Sequence, residues 1–181
     1  MGRTKSFDRN DVLDKAVRLF WAKGFADTSL HDLERATGVN RSGLYSDFKD
    51  KDDLFSQSLK RYATTNGVLE LLAKQPLGRG NLENFLMAGQ RCVGTKGCFM
   101  SNTLRELSII PKAAKAELAQ QIHSVRKAVV KNVAATSATR DHSVLADLIL
   151  TYNTGLALRL NAGGIRGLKK QVSEFLDLVL R

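Results

Sequence analysis

The stretch Thr28–Phe48, TSLHDLERATGVNRSGLYSDF, decides the fold. Leu30, Leu33 and Ala36 recur at three-residue intervals, which is one face of a short helix. Ser29 followed three residues later by Asp32 is a start signal, because the serine oxygen can accept a first-turn amide while the acid reaches back. Thr37-Gly38-Val39 ends that helix and turns the chain, since glycine takes a positive φ at no steric cost. Asn40 then opens a second short segment, Arg41–Ser46. With Val39, Leu44 and Phe48 facing a core, Arg41, Ser42, Gly43, Tyr45 and Ser46 face outward. Two short helices joined by a glycine turn form a helix-turn-helix, whose second helix enters the DNA major groove while the first braces it.

Working outward, Asp8 with Asp11 starts a helix carrying Val12, Leu13, Ala16, Val17, Leu19 and Phe20, and Gly24 ends it. Asp50 with Asp53 starts the helix on the far side. The wider stretch FWAKGFADTSLHDLERATGVNRSGLYSDFKDKDDLF (Phe20–Phe55) resembles the DNA-binding signature of the TetR family of bacterial repressors. The resemblance rests on the aromatic pair, the Gly24-Phe25 turn, the Thr28-Ser29 start, Gly38-Val39, Leu44-Tyr45 and the exit Phe48-x-x-Lys51-x-x-Leu54. It covers the first third of the chain and implies an all-helical regulatory core beyond it. It also implies that Tyr45 and Lys51 contact phosphate, and that the last two helices pair with those of a second copy.

The DNA-contacting set is therefore Thr28, Ser29, Asn40, Arg41, Ser42, Gly43, Tyr45, Ser46, Lys49 and Lys51. Arg41 suits a guanine, because its fork meets O6 and N7 together. Gly43 lets the backbone approach the base edges, and Thr28 and Ser29 offer hydroxyls and a helix start to the DNA backbone. Arg3 and Lys5 sit on a polar arm that can reach a minor groove, or simply form a basic tail. Where relatives often carry His or an aromatic before the phenylalanine, this chain has Asp47, an anion beside DNA.

Composition agrees with a DNA-binding helical protein. The chain has 181 residues, two prolines, 43% hydrophobic residues and a formal charge of +10. Nothing in it calls for a sheet, so the fold class is all-α: a three-helix reading head over residues 1–50, then a helical effector and dimerisation domain over 51–181, about nine helices in total. The charge excess lies outside the head, with 12 Lys and Arg against 10 Asp and Glu in residues 1–61. Docking must then come from a few placed cations rather than from bulk charge. Met1–Asp11 has no apolar run, and no segment approaches the ~20 apolar residues of a membrane span, so the chain reads as soluble and cytoplasmic.

Beyond the head, the Asp50-capped helix is expected to run through Tyr62, Val68, Leu69 and Leu72 to Gln75-Pro76, a lever joining the two domains. Leu77-Gly78-Arg79-Gly80 lacks the strand and Gly-Lys-Ser/Thr of a phosphate loop. Asn81 is expected to cap the next helix, with further helices from Cys98 and from Pro111 to about Ala135. Helix phase places Tyr62, Phe85, Met100, Asn102, Thr103, Arg105 and Tyr152 around an apolar effector pocket; with Arg105 turned inward, an acidic ligand is favoured. Leu145, Leu148, Ile149, Tyr152, Leu156, Leu168, Val172, Phe175 and Leu176 repeat at three and four along the last two helices. They form either a homodimer surface or the closure of the monomer core.

His31, His123 and His142 show no ligand spacing with one another or with Cys92 and Cys98, so no metal or cofactor is expected. No nucleophile elbow, nucleotide loop or catalytic triad spacing is present, and the chain reads as a regulator rather than an enzyme. Its partners are an operator duplex, a second copy and a small effector. An alternative uses the same machinery with Cys98 as a thiol sensor, since a helix start beside Lys96 lowers a thiol pKa.

Overall fold

The computed structural model describes residues 7–88, 97–136 and 141–181, and these are helical without strands. In chain order the helices are α1 (Arg9–Lys23), α2 (Leu30–Thr37), α3 (Arg41–Asp47), α4 (Lys51–Thr65), α5 (Val68–Leu72), α6 (Arg79–Met87), α7 (Phe99–Thr103), α8 (Lys112–Ala134), α9 (His142–Asn161) and α10 (Leu168–Leu180). A 3₁₀ turn, Leu104–Glu106, follows α7. Two compact units result, one of residues 1–66 with 102–119, the other of 67–101 with 120–181.

In the first unit α1 contributes Val12, Leu13, Ala16, Val17 and Phe20 to the core, and α4 contributes Leu54, Phe55 and Leu59. Phe20 meets Phe55 edge-on at 4.9 Å, and Phe25 tilts against the same ring at 4.8 Å. These contacts set α1 against α4 and leave α2 and α3 to be carried on one side. Arg61 of α4 forks onto Asp14 of α1 at 2.8 and 2.9 Å, which holds the Asp14 carboxyl below its usual range.

The expected lever helix is broken. Gly67 sits at φ 69°, ψ 8°, in the left-handed region, so α4 ends at Thr65 and α5 starts afresh at Val68. Apolar spacing continues across the break, which is why periodicity alone runs the helix on to Leu72. The unit boundaries fall within two other helices: α7 has residues 99–101 in the second unit and 102–103 in the first, and α8 has residues 112–119 in the first and 120–134 in the second.

The second unit is built on an apolar cluster from α5 (Leu72), α6 (Leu82, Phe85, Leu86), α8 (Val129, Val133), α9 (Leu145, Ala146, Ile149, Leu156) and α10 (Leu168, Val172, Leu176, Val179). One polar side chain is fully enclosed beside it. Asn132 Oδ1 accepts from the Gly78 amide at 2.9 Å and from Asn81 Nδ2 at 3.0 Å; its Nδ2 donates to Leu72 O at 2.8 Å and Ala128 O at 2.9 Å. Every hydrogen-bonding position of the amide is used, which is what allows it to be buried. Asn81 is thus no helix cap. It lies in the third position of α6, buried, and also donates to Lys74 O at 2.7 Å.

Candidate nucleic-acid interface

Helix α2 starts on a closed capping box. The Asp32 amide donates to Ser29 Oγ at 3.1 Å and the Ser29 amide to Asp32 Oδ2 at 3.0 Å. Lys23 Nζ lies 2.8 Å from Asp32 Oδ2, and this bond, with those from Ser29, holds the carboxyl well below the usual carboxylate range. Gly38 ends the helix at φ 76°, ψ 11°, its amide donating to Glu34 O at 2.9 Å. Thr37 is buried and donates to Leu33 O at 2.7 Å, while Lys15 Nζ donates to Thr37 O at 3.2 Å. The turn is therefore tied to α1 as well as to α2.

Helix α3 follows with Asn40 as its cap, Oδ1 accepting from the Gly43 amide at 2.9 Å. Leu44 and Phe48 are buried, and Arg41, Ser42 and Ser46 are exposed, with Tyr45 half-buried. The Arg41 guanidinium lies over the Tyr45 ring at 5.5 Å. The Arg41 main-chain amide donates to Glu34 Oε1 of α2, which ties the start of α3 to α2. Lys49 is exposed beyond the end of α3.

Three expected contacts turn out to have other work. Thr28 is 0% exposed and donates its hydroxyl to Gly24 O at 2.6 Å, so it cannot touch a phosphate. Lys51 Nζ donates to Phe25 O at 3.0 Å and Thr28 O at 2.9 Å, and sits 4.3 Å from the Phe25 ring centre. Two of its donors thus hold the α1–α2 corner. A Cβ on Gly43 would fall 2.7 Å from Val39 Cγ1, so the glycine is needed by the turn packed behind it, whatever lies in front.

Asp47 is not an anion facing DNA. Its side chain is 2% exposed and faces Arg9 Nε at 4.0 Å, while the Arg9 guanidinium lies 4.9 Å from the Phe48 ring centre and bonds Gln57. Arg9 in this way ties α1, the end of α3 and α4 together. Arg3 and Lys5 lie outside the described residues, as do Cys92 and Lys96. Cys98 is half-buried ahead of α7. Among the described residues no group of three His, Cys, Asp or Glu could hold a metal ion, and no helix is long and apolar enough to cross a membrane.

The expected effector residues divide between the units. Tyr62, Asn102, Thr103 and Arg105 belong to the first, Phe85, Met100 and Tyr152 to the second. Tyr62 packs edge-on to Trp21 at 5.2 Å, Thr103 is buried and Arg105 is exposed. Phe85 is enclosed in the second core, and Tyr152 stacks on Phe175 at 3.8 Å, its hydroxyl pushed up in pKa by burial. Arg105 therefore does not turn inward; its neighbour Glu106 does, accepting the Phe25 and Ala26 amides at 2.8 and 3.0 Å. Sequence carries no sign of that bond, because its partners are 80 and 81 residues apart in the chain.

Of the apolar residues expected on a partner face, Leu145, Ile149, Leu156, Leu168, Val172 and Leu176 are buried in the chain's own core. The face left open carries Val144 (54% exposed), Leu148 (49%) and Leu158 on α9, and Leu178 (72%) on α10. Only Leu148 of the expected set is among these. Leu158 and Leu178 escape the sequence reading: α9 is apolar on more than one side, and Leu178 lies off the buried stripe of α10.

Residues 12–57 match the family model for bacterial regulatory proteins of the tetR family. The chain is 38% identical over 114 residues to the transcriptional repressor ComR of Escherichia coli, a match spanning 59% of this chain and 54% of ComR. It thus covers about half the length of that relative. With the repressor DhaR of a Mycobacterium species it is 24% identical over 94% of this chain and 89% of DhaR. The fold matches SCO4454 of Streptomyces coelicolor, a TetR-family transcriptional regulator, at TM-score 0.84 and 19% identity over 96% of this chain and 94% of that one. It also matches a cysteine mutant of the TetR-family regulator CifR complexed with 26-base-pair operator DNA, at TM-score 0.77 and 23% identity over 99% and 98%. Family model, relatives and fold agree with the helix-turn-helix geometry, and residues 12–57 form a domain of the tetR family of bacterial regulatory proteins.

Proposed function

We propose that this chain is a ligand-responsive transcriptional repressor, a cytoplasmic DNA-binding regulator that grips a palindromic operator as a homodimer and releases it when a small effector binds. The observation that carries the reading is α3 itself. Its caps and buried face are satisfied inside the protein, while Arg41, Ser42 and Ser46 are left outward with chemistry suited to base edges and phosphates. A pre-organised reading helix loses little entropy on docking. The likeness to CifR, solved on operator DNA, supports the same partner here.

A second copy is supported by the open apolar face of Val144, Leu148, Leu158 and Leu178, which a lone chain leaves in water. Two reading helices related by a two-fold axis would meet half-sites about 34–36 Å apart, or a multiple of that. The effector would lie among the middle helices of the second unit, with Met100 and Tyr152 the candidates there.

Selection of duplexes from a random pool tests the reading. It expects an enriched inverted repeat bound by two chains per duplex in sedimentation. No enriched sequence, with equal and steeply salt-dependent affinity for every duplex, would overturn it in favour of charge-driven DNA binding.

A further inference from the structure

The corner between α1 and α2, Gly24–Thr28, has its polar backbone groups held from three directions. Thr28 Oγ1 donates to Gly24 O, Lys51 Nζ donates to Phe25 O and Thr28 O, and the carboxylate of Glu106 accepts the amides of Phe25 and Ala26 at 2.8 and 3.0 Å. Two successive amides pointing at one anion form a concave nest, and a charged acceptor makes each bond shorter and stronger than a neutral one. Glu106 comes from the 3₁₀ turn after α7, about eighty residues away in the chain but in the same compact unit. Gly24 is shaped to admit it. A Cβ there would lie 2.9 Å from Glu106 Oε2, and the residue stands at φ 86°.

We propose that Glu106 is a positioning residue for operator binding, holding the α1–α2 corner, and with it the start of α2, in the geometry the reading helix needs. The inference rests on the operator-binding function proposed above. Its physical basis is the chain of short links that follows the corner. Ser29, the cap of α2, comes directly after Thr28, and Glu34 of α2 accepts the first amide of α3. A corner free to move would carry Ser29 and α3 with it. The corner is also partly at the surface, Ala26 being exposed, so water can replace the carboxylate and the fold survives its loss. What is lost is placement rather than stability. A change in the 3₁₀ turn Leu104–Glu106 would thereby be felt at the reading helix of the same unit.

The test compares wild type, Glu106→Gln and Glu106→Ala on the duplex that wild type selects and on an unrelated duplex of equal length. Glutamine presents one oxygen for two amides and should lie between the other two proteins. The selected duplex should bind the alanine variant about tenfold or more weakly. Affinity for the unrelated duplex should stay the same or rise slightly, since one negative charge is gone. Hydrogen exchange should quicken at the Phe25 and Ala26 amides and remain unchanged at Val12, Phe20 and Leu33. Unchanged affinity of both variants for the selected duplex would overturn the proposal, as would equal losses on both duplexes with faster exchange throughout. If wild type selects no duplex, the proposed function fails; exchange confined to the corner would then still establish the latch and leave it without operator binding to serve.

Discussion

Helices α2 and α3 of the first unit and α9 and α10 of the second are held by different physics. The first pair is short and fixed by polar residues: Ser29 with Asp32, Gly38, Asn40, and the Glu34 bond to the Arg41 amide. The second pair is 20 and 13 residues long and fixed by burial of Leu145, Ile149, Leu156, Leu168, Val172 and Leu176. A cap specifies one residue at one place. An apolar stripe specifies only a face, and where two faces are apolar it leaves the choice to the rest of the fold. The reading head thus has a defined outer surface, whereas α9 keeps large apolar groups on both its inner and outer sides.

Neighbouring residues of α9 give the strongest test of that contrast. Ile149→Ala removes a fully enclosed side chain and should lower unfolding free energy by about 2–5 kcal/mol at every protein concentration. Leu148→Glu changes the open face, so it should shift sedimentation toward single chains, with a stability loss that grows on dilution. Denaturant unfolding at two concentrations separates them. Should Leu148→Glu remain paired and Ile149→Ala cost nothing, the inner and outer faces of α9 have been assigned the wrong way round.

On the reading head the corresponding change leaves folding alone. Arg41 is exposed, so Arg41→Ala should keep the wild-type melting temperature yet weaken binding to the selected duplex by about 1–3 kcal/mol and relax preference at one base pair. Fluorescence anisotropy on single-base variants of that duplex reads both. Equal affinity and equal preference would move the reading role to Ser42, Tyr45 or Ser46. Gly38→Ala probes the turn behind it. Nothing stands within 4 Å of a Cβ at that position, so the cost is the left-handed backbone alone, about 1–2 kcal/mol in thermal unfolding. A neutral result would mean that the turn relaxes out of φ 76° without loss.

Residue by residue, what was legible in the sequence tracks the distance between partners. Ser29 and Asp32, Asn40 and Gly43, and Asp50 and Asp53 bond within a helical turn, so spacing alone identifies them. Thr28 suits a phosphate by its hydroxyl, and the family resemblance implies the same contact for Lys51. Burial of the one and the commitment of the other to backbone oxygens 23 and 26 residues away arise only in the folded chain. Glu106 and Arg9 are invisible for the same reason. Gly67 is a different failure: the apolar period continues through it, and one residue in the left-handed region cuts the expected lever in two. For α9 the period is correct and the phase ambiguous, because Val144 beside Leu145 and Leu148 beside Ile149 fit inward-facing stripes equally well.

The smallest expected effect concerns the charge that closes the α2 cap. Lys23, then Ser29, keep the Asp32 carboxyl ionised further into acid than a free carboxylate. A group whose folded pKa is depressed contributes stability above its ordinary value, here near 3.8, and loses that contribution as the pH falls through the lower folded value. Melting curves of wild type and Asp32→Asn should therefore be separated at neutral pH and converge in acid. The separation should be modest, since the Lys23 pair is near the surface and screened by salt. The same pair of proteins on the long terminal helices' side should show no parallel change, because the second unit's core is apolar and its enclosed amide, Asn132, does not titrate. A gap that stays constant from neutral pH to below 3.8 would assign the cap's contribution to the shape of the side chain rather than to its charge, and would bring α2 closer in kind to the helices held by packing alone.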